Sequence, residues 1–153
     1  MIFKIIIGIA VILGFFWLTK IRDDRFSFIT TLTLATSILL IFIPTTLTRQ
    51  IGGIGLPLGV IMTVIYGFLK RNQPGEQKAL TLIISITVVI SQLGFLFQWQ
   101  NSYLTGLLMI IPLLGYLYIL IKGIKNYRTQ FGFLTIIVSY AIARLALMIE
   151  QGI

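Results

Sequence analysis

Few side chains in this sequence have the chemistry of a functional site. The acids are Asp23, Asp24, Glu76 and Glu150. The first three fall in hydrophilic stretches and the fourth lies near the end of the chain, so no apolar run carries a central carboxylate. Proton-coupled transport usually needs such a group, to load and release a proton inside the bilayer. An aspartyl intramembrane protease needs a buried pair of them. Cysteine and histidine are absent from the sequence. Their absence removes disulfides, thiolate nucleophiles, cysteine zinc and iron–sulfur ligation and ordinary haem ligation. It also removes the side chain that most often moves protons near neutral pH. No cofactor, metal or catalytic group is therefore expected. An enzyme acting on lipids would have to work with arginine, tyrosine and serine alone.

Three residues stand out as contacts for a partner or a solute. Arg144 is the one strong charge inside an apolar run, and a charge so placed is a site candidate by default. Two readings are open for it. It either snorkels to the interface or pairs with Glu150, or it grips an anion, a lipid headgroup or a partner subunit. Tyr140 shares its helical stripe, together with Gln130, Phe133, Ile137 and Gln151. Gln92 is the carboxamide deepest in an apolar run, on a face with Thr81, Ser85, Val88, Phe95 and Trp99. An unpaired amide is costly in lipid, so Gln92 must face protein, as an interhelical hydrogen bond or as a solute contact.

Other polar and small residues fit helix packing. Gly55, Gly59, Thr63 and Gly67 recur at every fourth position. They predict a groove where a neighbouring backbone approaches closely, inside the bundle or at a seam with another subunit. Thr30, Thr33, Ser37 and Thr48 form a hydroxyl stripe, open to back-bonding on its own helix or to lining a solute path. Pro44 and Pro112 predict kinks.

The elements that must carry these residues follow from composition. Of 153 residues, 58% are hydrophobic and only 10% charged, with a mean hydropathy of +1.03. Soluble domains are about 45–50% apolar and about 25% charged. This chain has too little polar surface to cover itself in water, which excludes a soluble enzyme, a disordered tail and a nucleic-acid-binding domain. The expected fold is an all-α integral membrane protein: one polytopic domain of about six transmembrane helices, with no soluble domain.

A helix needs roughly 20 apolar residues to cross a bilayer, and six runs approach that length. They cover about 2–18, 26–47, 51–69, 79–97, 103–121 and 129–149. They are continuously apolar, whereas a barrel would alternate, and in lipid only a helix satisfies its own backbone within one segment. The weakest break is the second, where a re-entrant passage would leave four or five true crossings. The first run lacks a small-residue cleavage site and reads as a retained anchor rather than a cleaved leader. A faint echo between residues 25–30 and 131–135 leaves a three-hairpin duplication open, beside chance resemblance in so Phe- and Ile-rich a chain.

Charge sets the orientation. Lys20, Arg22, Arg25, Lys70, Arg71, Lys78, Lys122, Lys125 and Arg128 all fall after runs one, three and five, which is nine of the 12 basic residues. The positive-inside rule places those connections in the cytoplasm and both termini outside, as in a bacterial-type inner or plasma membrane. Trp17, Trp99, Tyr103 and Tyr127 are expected as interfacial aromatics. The leading functional expectation is a non-catalytic membrane subunit that packs against or stabilises partners in a larger complex. The alternative is a small oligomeric channel or transporter. The expected partners are the lipid bilayer and either other membrane subunits or further copies of the chain, with no nucleic acid.

Overall fold

The computed structural model describes residues 2–70, 73–96 and 106–150. Among the described residues there are six α-helices and no strand: α1 Ile2–Leu18, α2 Arg25–Phe42, α3 Thr46–Leu69, α4 Gly75–Leu96, α5 Ile110–Lys122 and α6 Phe131–Glu150. A short 3-10 turn, Ile124–Tyr127, joins the last two. Three of the helices are long and apolar enough to cross a membrane, over Arg25–Phe42, Thr46–Leu69 and Gly75–Gly94.

The helix ends follow local chemistry. Asp24 caps α2 by accepting from Ser27 N (3.3 Å), and Thr45 caps α3 by accepting from Thr48 N (3.4 Å). Glu76 lies in the first turn of α4 and Lys122 in the last turn of α5, each favourably placed against the helix dipole. Gly123, at φ 99°, ends α5 in a conformation that L side chains rarely adopt.

Several boundaries differ from the sequence expectation. Helix α2 ends at Phe42, with Ile43 extended before Pro44. Pro44 therefore terminates the helix instead of kinking it, because a residue before proline disfavours helical geometry. Thr48, Arg49 and Gln50, expected as a connection, form the opening of α3. That helix is continuous through Pro57 over 24 residues. Pro112 is likewise no mid-helix kink. It sits in the first turn of α5, where an N–H has no intrahelical acceptor and its loss is harmless. Tyr127 is 2% exposed and sits inside the fold rather than at a surface belt. The expected connection at 98–102, with Trp99, Tyr103, Arg71, Asn72 and Gln151, lies outside the described residues.

Helices α1 to α5 form an arc in chain order, each against the next except that α4 and α5 meet across the 97–105 segment. Helix α6 closes the arc and fills its centre, packing on α1, α2, α4 and α5. Phe133, Leu134, Ile136 and Ile137 on α6 are at most 1% exposed, so the first half of this helix is buried all round and not along one stripe.

Glycines set the close crossings. A Cβ on Gly14 would meet Ile136 of α6, and one on Gly115 would meet Ile84 of α4. The expected row from Gly55 to Gly67 is divided between two neighbours. Gly55 lies against Ser37 and Gly59 against Leu34, both on α2. Thr63 donates to Ser85 Oγ (2.8 Å) and Gly67 lies against Leu82, both on α4. The division is geometric. Four residues advance a helix by slightly more than one turn, so a row at that spacing drifts sideways and reaches a second partner.

Candidate functional site

Three connections meet at one end of the bundle: 20–24 after α1, residues 70 and 73 after α3, and 126–130 after α5. Lys20, Arg22, Lys70 and Arg128 lie in them, and they are hydrogen-bonded to one another. Arg128 donates through Nε (3.1 Å) and Nη2 (2.7 Å) to the Lys20 carbonyl. Trp17 Nε1 donates to the Arg128 carbonyl (2.7 Å), and Gln77 Nε2 donates to the Asn126 carbonyl (2.7 Å).

Beneath this latch lies a buried polar cluster around Tyr66, which is 0% exposed. Its hydroxyl donates to Asp24 Oδ2 (3.0 Å) and lies 3.1 Å from Thr129 Oγ1. Gln73 Nε2 donates to that hydroxyl (3.0 Å), and Gln130 Nε2 donates to Gln73 Oε1 (2.6 Å). Lys70 Nζ lies 2.6 Å from Asp24 Oδ2, and Ser27 Oγ donates to the Thr129 carbonyl. Residues from α2, α3 and the connections before α2, after α3 and before α6 thus share one network. Tyr66 and Lys70 reach it together because positions four apart at the end of α3 share a face, and Gln73 reaches it from the connection beyond.

Electrostatics keep Asp24 charged. Burial alone would push its carboxyl up, but Lys70, the Ser27 amide and Tyr66 outweigh burial and hold it below its ordinary value. A second cluster gathers on Glu76, which accepts from Tyr118 (2.7 Å) and Tyr127 (3.3 Å), with Lys122 Nζ at 3.7 Å. Burial and the adjacent Glu76 charge push the Tyr127 hydroxyl up to about 12, so it remains a donor at neutral pH. A cleft beside Glu76 is lined by Pro74, Gln77, Lys122, Asn126 and Tyr127. Both clusters act as ties between connections.

No protein-family model, curated protein or solved structure matches this chain.

The candidates Gln92, Tyr140 and Arg144 come together between α4 and α6, away from the latch. The polar groups of Arg144 and Gln92 both act on the Tyr140 hydroxyl. Among the described residues, Gln92 Nε2 is buried and has no hydrogen-bond partner. Arg144 is partly buried and has an interaction of its own. We expect Arg144→Lys to keep the detergent melting temperature of the parent, since lysine also reaches an interface along its stem. If lysine is instead as damaging as alanine, the planar fork of the guanidinium is what matters there.

The expected hydroxyl stripe is divided between two helices. On α2, Thr30 donates to the Phe26 carbonyl (2.8 Å) and Ser37 to the Thr33 carbonyl (2.6 Å), while Thr48 lies in the first turn of α3 and donates to the Thr45 carbonyl (3.0 Å). The Tyr66 cluster was not foreseen from sequence. Its one local sign was Asp24 three residues before Ser27, a helix-capping spacing. The rest depends on three separated connections meeting.

Proposed function

We propose that this chain is an integral membrane protein and a non-catalytic, multi-spanning subunit that packs against or stabilises partners in a larger membrane complex. What supports the reading is the distribution of side chains between inside and outside. Gly52, Gly59, Thr63, Ser27, Thr30, Thr31 and Ser85 are buried. The outer face of α3 carries Leu47, Ile51, Ile54, Leu58, Ile61, Ile65 and Phe68, each at least 43% exposed. A fold in water would bury the bulky apolar groups and expose the hydroxyls. A fold in lipid gains nothing from burying leucine and places small residues at its crossings. With α6 filling the centre and the α2 hydroxyls bonded to their own backbone, the surface left for recognition is the outside of the bundle.

The latch supports one orientation. All three basic connections gather at one end, which suits the cytoplasmic face under the positive-inside rule. Single cysteines test this without any background thiol, as the chain has none. A cysteine at Asn126 should resist an impermeant reagent applied outside intact cells, and one at Asn101 should react. The opposite labelling pattern would invert the assignment.

The second reading is a small oligomeric channel or transporter, favoured by the unsatisfied Gln92 amide beside Tyr140 and Arg144. Purification in mild detergent separates the two. A stoichiometric membrane partner, lost on changing Ile54 and Leu58 to serine, is the result expected of a subunit. A homo-oligomer that conducts ions or small solutes in liposomes would overturn the subunit reading.

A further inference from the structure

The first turn of α2 and the connection before it form an open groove of about 470 Å³ lined by Arg22, Arg25, Phe28 and Ile29. Clefts of this size hold small molecules. Its composition is divided along its length. Arg25, Phe28 and Ile29 share one helical face through their spacing of three and four. Arg22 and Arg25 lie at the end of the bundle where the basic connections gather, and the apolar pair sits one turn further along the helix from that end. Arg22 and Arg25 are both exposed. Among the described residues neither side chain has an ion pair, hydrogen bond or ring contact.

The acids nearby do not neutralise the pair. Asp24 is turned inward onto Lys70, Tyr66 and the Ser27 amide. Asp23 is exposed but does not line the groove. The Asp24 cap also fixes the turn that presents Arg25. Two forked cations are thus held over an apolar floor, at the level where the membrane reading above puts the cytoplasmic interface.

We propose that this groove is a binding site for an anionic phospholipid, its phosphate held between Arg22 and Arg25 and its acyl chain lying on Phe28 and Ile29. Arginine matches phosphate through paired, charge-assisted donors, and basic residues at the cytoplasmic interface attract anionic headgroups. The apolar floor selects a lipid over a free anion, because inorganic phosphate has nothing to place there. The inference rests on the membrane reading.

The test uses the full chain in a mild neutral detergent. Phosphatidylglycerol or phosphatidylcholine is added at matched concentration, and retained lipid is counted by native mass spectrometry. Wild type should hold phosphatidylglycerol about 30-fold better than phosphatidylcholine, on the scale of two interfacial arginines. Arg22→Gln with Arg25→Gln should abolish that preference, with elution and helix content unchanged since both side chains are exposed. Lys78→Gln with Lys125→Gln removes the same charge from the same end and should leave the preference within about twofold of wild type. Millimolar inorganic phosphate should not displace the lipid.

Equal losses in the two double variants would reduce the effect to diffuse surface charge and overturn the site. Displacement by phosphate would make it a free-anion site and overturn the lipid assignment. An alkaline carbonate wash of native membranes separates this failure from that of the underlying reading. A chain released into the supernatant removes both. A chain that stays in the membrane fraction but shows no lipid preference removes only this one.

Discussion

Gly52→Ala should destabilise the protein by about 1–3 kcal/mol, the usual range for overpacking, while Gly53→Ala, one residue on, should be neutral or stabilising. A Cβ on Gly52 would sit 2.5 Å from the Ser37 carbonyl oxygen and 2.9 Å from Ile41 N. Both are backbone atoms of α2, so no rotamer change relieves the contact and the two helices must separate. That places the expected loss at the upper end of the range. A Cβ on Gly53 would meet nothing within 4 Å. Alanine there only improves helix propensity, by up to about 1 kcal/mol. Gly59→Ala should fall between them, because its nearest contact, at 2.6 Å, is Leu34 Cδ2, the far end of a flexible side chain. Thermal unfolding in one detergent ranks the three directly. Indistinguishable Gly52 and Gly53 variants would mean that α2 and α3 do not approach this closely.

These glycines also show how far the sequence could be read. Small residues at helical spacing announce a close crossing, and such crossings are present. The pattern could not say which neighbour each glycine meets, because that depends on the drift of the row around α3 and on which helices flank it. Helix number was legible for a similar reason, since each apolar run is bounded by charges or by turn residues. Helix ends were less so. Residues 48–50 and 76–78 are polar enough to resemble connections, yet they lie at helix openings, where capping and dipole effects favour polar side chains. The position of α6 in the centre was not readable from its composition, which resembles that of the outer helices. The Tyr66 cluster was hidden because its members come from chain segments more than 40 residues apart, and no local pattern links them.

Asp24→Asn should cost about 2 kcal/mol and should remove an acid-sensitive component of stability. The magnitude is set by exposure. Breaking a buried pair on one side costs about 3–5 kcal/mol, and an exposed pair contributes about 1 kcal/mol or less. Asp24 is 7% exposed by its side chain and Lys70 is 40% exposed, so water solvates the ammonium in part once its partner is gone. Asparagine can still cap α2 through Ser27 N, which isolates the charge from the cap. Asp24→Ala loses both and should cost about 1 kcal/mol more. The reverse deletion, Lys70→Met, should be the more damaging single change at neutral pH, because the group it strands is the buried carboxylate. The pH dependence has a definite sign. Lys70, Ser27 N and Tyr66 hold the folded-state carboxyl below its ordinary value of 3.8. The stabilisation is therefore fully present above that value and is lost as pH falls through and below it. Between pH 7 and pH 5 the wild type should not lose stability through this group. Below about pH 4 it should converge on the Asp24→Asn variant. Melting curves of the two proteins from pH 7 to pH 3 read this convergence. A gap that stayed constant into acid would show that the lost stability came from packing, and that the ion pair at the centre of the latch contributes little.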